Sequence, residues 1–216
     1  MFYILPTKNG LGIELWGDYN DLTTIHDIID NLWGDELNND SYISRSKIIS
    51  NFNYNVRKAY QGQRLTKVDN GNIYFGTKFT WVYIIFFIHS IRENTKIIES
   101  SKLDLGFLLQ FEYMLEQAMF LYDKVGANEV KKYITAGIYS ENPHIYLFML
   151  DINNEYISMK RGKVSFRKLP EILKKGVIVT QEYNDYYTFL QSEAKRYGVN
   201  INELDLDDII NDDTKW

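Results

Sequence analysis

The chain contains no cysteine, which excludes disulfide frameworks, thiolate-bound zinc or iron–sulfur clusters, and thiol nucleophiles. Histidine is almost as scarce, with three residues, and leaves little for an imidazole metal site. Only three prolines occur, and no Pro/Gly/Ser-rich stretch marks a linker. Long apolar runs are missing as well. The densest, Phe79 to Ile88, gives way to His89, Ser90, Ile91, Arg92 and Glu93, short of the ~20 residues a bilayer span needs. Met1–Thr7 lacks the basic flank of a secretory signal. The dinucleotide, phosphate-loop and nucleophile-elbow patterns are absent. The calcium-loop pattern fails where Asp205, Asp207 and Asp208 run into Ile209 and Ile210. These gaps predict a cytoplasmic protein without a membrane segment, metal or cofactor, and more a binding protein than an enzyme.

What is present is globular in character: 45% apolar and 25% charged residues over 216 positions, enough for one domain with a core of its own. Isoleucine (25), asparagine (19) and tyrosine (17) together make 61 residues, against five alanines. All three have AT-rich codons, which points to a low-GC bacterium or its phage and makes part of the tyrosine excess mutational. The net charge of −5 is unevenly placed. The segment 199–216 holds six acids and one base, so the remainder balances. Within that neutral body Lys160, Arg161, Lys163, Arg167, Lys168, Lys174 and Lys175 oppose only Glu171.

The pattern along the chain predicts an α+β fold, a mostly antiparallel sheet built from hairpins with helices packed on it, as a single domain over 1–216 with an acidic segment at 199–216. Phe2–Pro6 and Ile13–Trp16 flank a Lys8-Asn9-Gly10 turn. Asp18 or Asp21 can cap a helix carrying Leu22, Ile25, Ile29 and Leu32, ended by Gly34. A polar loop over 35–41 precedes a helix over Tyr42–Tyr60. Leu65–Val68 and Ile73–Phe75 bracket Asp69-Asn70-Gly71-Asn72, a second hairpin. Thr77–Asn94 mixes strand composition with helical length and is read as a buried helix. Leu103–Lys124, apolar nearly all round, is expected to be the central helix, and Ala127–Tyr139 to be helical. Ile145–Leu150 and Glu155–Met159, joined through Asn153-Asn154, predict a third hairpin that Val164–Phe166 extends. Helices near Leu169–Lys174 and Glu182–Tyr197 follow, with a short last one capped by Asn202 over Leu204, Leu206, Ile209 and Ile210.

Three helical i,i+4 pairs, His26/Asp30, His89/Glu93 and Glu112/Glu116, could converge on an ion, but the Glu-x-x-His spacing of di-metal bundles does not occur. His89, after a nearly unbroken run of ten apolar or aromatic residues, is either a buried base or a core histidine bonded to a carbonyl or to Glu93, and the second reading is preferred. The strip Lys160, Arg161, Lys163, Phe166, Arg167 and Lys168 could contact phosphates, with Phe166 or Tyr156 stacking on a base. An overall pI near 5.3 and the use of lysines to block sheet edges argue for a solvated or protein-facing edge instead.

The most motif-like stretch is Gly12-Ile13-Glu14-Leu15-Trp16-Gly17-Asp18-Tyr19-Asn20-Asp21-Leu22. Here Glu14 and Trp16 share one strand face and Ile13 and Leu15 the other. With His144-Ile-Tyr-Leu-Phe and Phe166-Arg-Lys-Leu-Pro170, it resembles the start of an uncharacterised bacterial family, a domain of unknown function, which implies no activity.

The sequence therefore leads to a non-enzymatic interaction protein that binds a protein partner or itself as a dimer. Tyr183, Tyr186 and Tyr187 are candidate surface anchors, and an aromatic content of 15% is a reason to expect self-association. The runner-up is a nucleic-acid-binding protein or nuclease using the strip 160–175, and the third an enzyme around His89. The acidic segment Glu203–Asp213 is expected to neutralise that strip, docking through Leu204, Leu206, Ile209 and Ile210.

Overall fold

A computed structural model describes residues 1–33, 40–204, 214 and 216. The fold is α+β. Its four strands, β1 (Tyr3–Pro6), β2 (Gly12–Gly17), β3 (Leu65–Asp69) and β4 (Asn72–Thr80), form one sheet in the order β1-β2-β4-β3. Every pairing is antiparallel. Both early hairpins form as expected. Asn70 and Gly71 join β3 to β4 with φ of 47° and 81°, the two positive values that a two-residue type I′ turn demands. The long β4 reaches past its hairpin partner to pair with β2, so Gly12 lies opposite Thr80.

Alternation decides which way the sheet faces. Ile4, Ile13, Leu15 and Phe79 point into the core, while Glu14 and Trp16 lie on the opposite face. Between β2 and β3 the chain makes two helices, α1 (Tyr19–Trp33) and α2 (Asp40–Tyr60). Asp18 caps α1 reciprocally with Asp21, each carboxylate accepting the other's backbone N–H at 2.8 and 3.2 Å. The buried face of α1 repeats at helical spacing through Leu22, Ile25, Ile28, Ile29 and Leu32. Gly34 and most of the loop expected over 35–41 lie outside the described residues.

The ambiguous segment resolves into both of its readings. Thr77–Thr80 close β4, and Trp81–Asn94 form α3. Thr80 makes the switch: its backbone is extended and its hydroxyl accepts the Tyr83 N–H at 3.1 Å. Every side chain of α3 from Trp81 to Ile91 is buried. It is this helix, and not the one that follows, that occupies the centre.

The expectation of a central helix over Leu103–Lys124 is corrected accordingly. The helix α4 (Lys102–Tyr122) exists and begins with a Ser101/Asp104 capping box, but it lies on the surface. It buries Phe107, Leu108, Phe111, Leu115 and Met119 and leaves Leu103, Leu105, Leu109, Tyr113 and Leu121 exposed. Two short helices follow, α5 (Lys124–Val130) and α6 (Lys132–Thr135).

The third hairpin is also corrected. Residues Ile145–Ser158 form helix α7 and Lys163–Leu173 form α8, so 145–159 is not a strand pair and 164–166 does not extend one. The β-branched and aromatic side chains that suggested strands are equally those of a helix buried nearly all round. Asn153, taken for a turn residue, sits mid-helix because its amide finds a tertiary partner: the Thr80 hydroxyl donates to Asn153 Oδ1 at 2.5 Å. Helix α9 (Gln181–Tyr197) ends at Gly198 in the left-handed conformation, as expected. Asn200, not Asn202, caps a 3-10 turn over Ile201–Glu203, and the rest of the expected last helix falls outside the described residues.

One loop position ties these layers together. The Gly10 carbonyl accepts from Trp81 Nε1 of α3 at 3.1 Å and from the Tyr156 hydroxyl of α7 at 2.7 Å. Gly10 itself has φ of +72°, and a Cβ there would meet the Tyr122 hydroxyl oxygen of α4 at 1.8 Å. Gly10→Ala therefore combines an unfavourable backbone conformation with a steric conflict against the Tyr122 ring of α4. Chemical denaturation of that variant should show a loss of about 2 kcal/mol or more relative to wild type. A change below 0.5 kcal/mol would mean that this junction is not the tie described.

Candidate functional site

The basic strip does not survive as a continuous surface. Arg167 of α8 forms a bidentate pair with Asp123, Nε to Oδ2 at 2.7 Å and Nη2 to Oδ1 at 2.9 Å. Asp123 is also the N-cap of α5, accepting the Gly126 N–H at 3.0 Å. The Arg167 hydrogen bonds hold its carboxyl below the usual range. Lys175 reaches Asp151 and Glu155 of α7, each at 2.7 Å. Burial alone would lower its pKa, but the two carboxylates outweigh that and keep the ammonium above its ordinary value. Arg161 donates to the Ile157 and Met159 carbonyls. Phe166 is fully buried against Trp81, ring centroids 5.2 Å apart, and Tyr156 is buried with its hydroxyl on Gly10. Neither ring is open to a base. Lys160, Lys163 and Lys168 remain exposed. Most of the acidic segment expected to cover this strip, 205–213, lies outside the described residues.

Glu14 and Trp16 do share the outer sheet face. The Trp16 indole N–H donates to Glu14 Oε2 at 3.0 Å. Trp16 lies flat on Gly76, where a Cβ would stand 2.7 Å from the ring. Lys67 Nζ sits 4.9 to 5.9 Å from the Trp16, Tyr3 and Tyr74 ring centroids. This is a packed, internally satisfied face.

The three i,i+4 pairs go separate ways. His26 lies 3.6 Å from Asp27 and edge-on to Tyr60, while Glu112 is taken by Arg92 of α3. Among the described residues no three His, Cys, Asp or Glu side chains gather around one point.

His89 is a core histidine. Its Nε2 lies 2.8 Å from the Tyr133 carbonyl, so this nitrogen carries the proton and donates. Burial, with Arg92 and Lys96 adding repulsion against the pull of Glu93, lowers its pKa from 6.5 to about 4. The Tyr133 carbonyl favours the charged form but does not offset the burial.

The tyrosines expected at the surface are mostly inside. Tyr183 and Tyr186 of α9 are buried against Phe148, and Tyr187 is half-buried against His144. Much of the aromatic content is in the core, although Tyr19, Tyr54, Tyr113, Phe189 and Tyr197 are exposed. Phe52 stacks on Phe87 at 3.8 Å and on Phe79 at 4.8 Å, with Phe111 edge-on at 5.9 Å.

The surface feature that sequence reasoning missed is aliphatic, and it lies on α4. Leu105, Leu109 and Tyr113, spaced i, i+4 and i+8, form one outward stripe with exposures of 42%, 62% and 62%. Gly106 opens a notch beside it, with no atom within 4 Å of where its Cβ would be. Leu103 and Leu121, each 68% exposed, lie about 120° round the helix from the stripe. Leu105 and Leu109 also border a groove of about 560 Å³ that runs to His89 and Arg92 of α3 and Gly137. The signal for this face was in the sequence: a helix apolar on all sides is either central or half-covered, and only the rival claim of α3 on the centre separates the two.

These features define an α+β domain with a four-stranded antiparallel sheet, one fully enclosed helix and an open apolar helix face. Over residues 2–216 the chain matches the family described as a domain of unknown function, DUF6904, and it belongs to that family. No curated protein and no solved structure matches it. Among the described residues no helix is long and apolar enough to cross a membrane.

The His89 environment has a measurable consequence. A folded-state pKa below the unfolded value means that the neutral form is the one the fold favours. The contribution is therefore complete above pH 6.5 and is lost as pH falls toward about 4. That difference amounts to about 3 kcal/mol over the window. Stability measured by urea titration should fall more steeply between pH 6.5 and 4 in wild type than in His89→Gln, which retains an N–H donor for Tyr133. Parallel pH profiles would show that His89 is not buried neutral.

Proposed function

We propose that this protein is a protein-interaction domain that works by docking its α4 face, with a second copy of the same chain as the occupant. The observation that carries this reading is the exposed stripe Leu105–Leu109–Tyr113. An apolar patch of this size, the largest a typical monomer carries (~300–600 Å²), is often a functional surface.

The pattern on α4 is self-complementary. In an antiparallel pair of α4 helices with a two-fold axis at Leu109, Leu105 of one copy faces Tyr113 of the other. The Tyr113 ring then lies beside the Gly106 notch. The same axis sets Lys102 opposite Glu116, one helical turn outside the stripe at each end. Neither Lys102 nor Glu116 has an ion-pair partner among the described residues. Two-fold pairing therefore supplies partners to both charges and covers the apolar stripe at once. The stripe itself exposes on the order of 400 Å² per copy, so the flanking charged residues must also be covered to reach the ~800 Å² per partner of a standard interface.

Sedimentation equilibrium of the wild-type chain should give twice the 25.5 kDa chain mass at micromolar concentration. Leu109→Lys, at an exposed position, should leave the monomer folded by circular dichroism and weaken association at least 100-fold. Lys102→Glu should weaken it as well, and the swap Lys102→Glu/Glu116→Lys should restore it. A wild-type monomer at high micromolar concentration overturns the proposal, as does a dimer indifferent to Leu109→Lys.

A further inference from the structure

A cleft of about 510 Å³ opens between α2, α7 and the end of β4, and shares no residue with the α4 face. Its volume is that of a small-molecule site. Three features of its walls point to a particular kind of occupant.

Among the described residues the charge in the lining is of one sign. Of these residues Arg64 and Lys78 border the cleft and no acidic side chain does. Arg64 spends its donors on neutral oxygens, Asn55 Oδ1 and the Gln63 carbonyl, each at 3.2 Å. It has no carboxylate within ion-pair distance among the described residues. Lys78 lies 3.9 Å from Glu14, a long pair, and Glu14 also accepts the Trp16 indole N–H.

Buried donors in the wall lack acceptors. Asn153 and Thr77 are each 2% exposed and both line the cleft. The Thr80 hydroxyl accepts the Tyr83 N–H, so its own hydrogen goes to Asn153 Oδ1. That bond fixes the amide orientation and leaves Asn153 Nδ2 with no acceptor among the described residues. The Thr77 hydroxyl has no partner there either. Neither atom is wholly sealed from solvent, and each is a donor that the protein itself leaves unused among the described residues.

The third feature is a flat apolar surface. The Trp216 ring borders the cleft with Lys78 Nζ 5.7 Å from its centroid, and its backbone is held by the Asn9 N–H at 3.3 Å. Met149 and Leu150 of α7 line the same cleft.

We infer that this cleft binds a small anion bearing a planar ring, of the nucleoside monophosphate or aromatic carboxylate kind. The anionic group is held by Arg64 and Lys78, the ring lies against Trp216 and Met149, and a ring acceptor meets Asn153 Nδ2. Arg64 suits an oxyanion because its planar fork presents paired donors. Thr77 supplies a second donor from the strand side.

The test is a titration of the full chain, followed by Trp fluorescence and thermal shift. The probes are the four common nucleoside monophosphates, their uncharged nucleosides, inorganic phosphate and indole-3-acetate. Saturable submillimolar binding is expected for at least one monophosphate or for the carboxylate, and which arm saturates identifies the anionic group. Nucleosides and phosphate alone should bind at least tenfold more weakly. Arg64→Glu, at an exposed position, should weaken binding at least tenfold with an unchanged melting temperature in the absence of ligand. Asn153→Asp keeps the acceptor for Thr80 and replaces the free donor by a carboxylate, so it should abolish binding. Trp216→Phe should remove the fluorescence response. Leu109→Lys should bind as wild type, which separates this site from the association surface. No saturable binding by any anion at millimolar concentration overturns the inference, and so does binding indifferent to Arg64→Glu.

Discussion

The enclosure of α3 is the constraint from which the rest of the architecture follows. A helix with every residue from Trp81 to Ile91 buried cannot rest on a single neighbour. It needs apolar surface around its whole circumference, and the sheet, α1, α2, α6 and α7 each supply a share. The two polar residues within it are satisfied from their own surroundings. Ser90 donates to the Phe86 carbonyl at 2.8 Å and His89 to Tyr133. At its end Asn94 donates to the Leu32 carbonyl and accepts from Arg45, a buried guanidinium that also holds the Ser140 carbonyl. Burial lowers the pKa of Arg45, and its hydrogen bonds are what make the site tolerable. One end of the helix is thereby fixed to α1, α2 and the loop before α7.

Because α3 holds the centre, α4 is displaced to the surface although its composition suits the interior. It packs Phe107 and Phe111 against Phe2 and turns its other face outward. The proposed association face is in this sense a by-product of competition for the core. Apolar surface that finds no room inside becomes available for recognition outside.

Local chemistry was legible in the sequence and tertiary competition was not. The Asn70-Gly71 turn, the Asp18 cap and the Gly198 stop each depend on a few neighbouring residues, and each formed where the pattern placed it. The alternation that set Glu14 and Trp16 against Ile13 and Leu15 also held, since it depends only on strand geometry. The errors came where a distant residue decides the outcome. Asn153 reads as a turn until Thr80 is known to lie beside it. The strip near residue 160 reads as a surface until Asp123, Asp151 and Glu155 are known to face its cations. The rank order of α3 and α4 depends on the whole molecule.

The sheet order β1-β2-β4-β3 carries a consequence for the time course of folding. Each hairpin closes a short loop and can form within microseconds. The seam between them pairs Gly12 with Thr80 and must wait for the chain between, including α1 and α2, to be gathered in. Closing that seam is the high-contact-order step. Until it occurs the inward side chains of β2 and β4 have no cover, and the unpaired strand edges are open to other chains. The early product of synthesis is thus exposed to misassociation until residue 80 and the buried helix beyond it have emerged, and the rate of seam closure sets how long that exposure lasts.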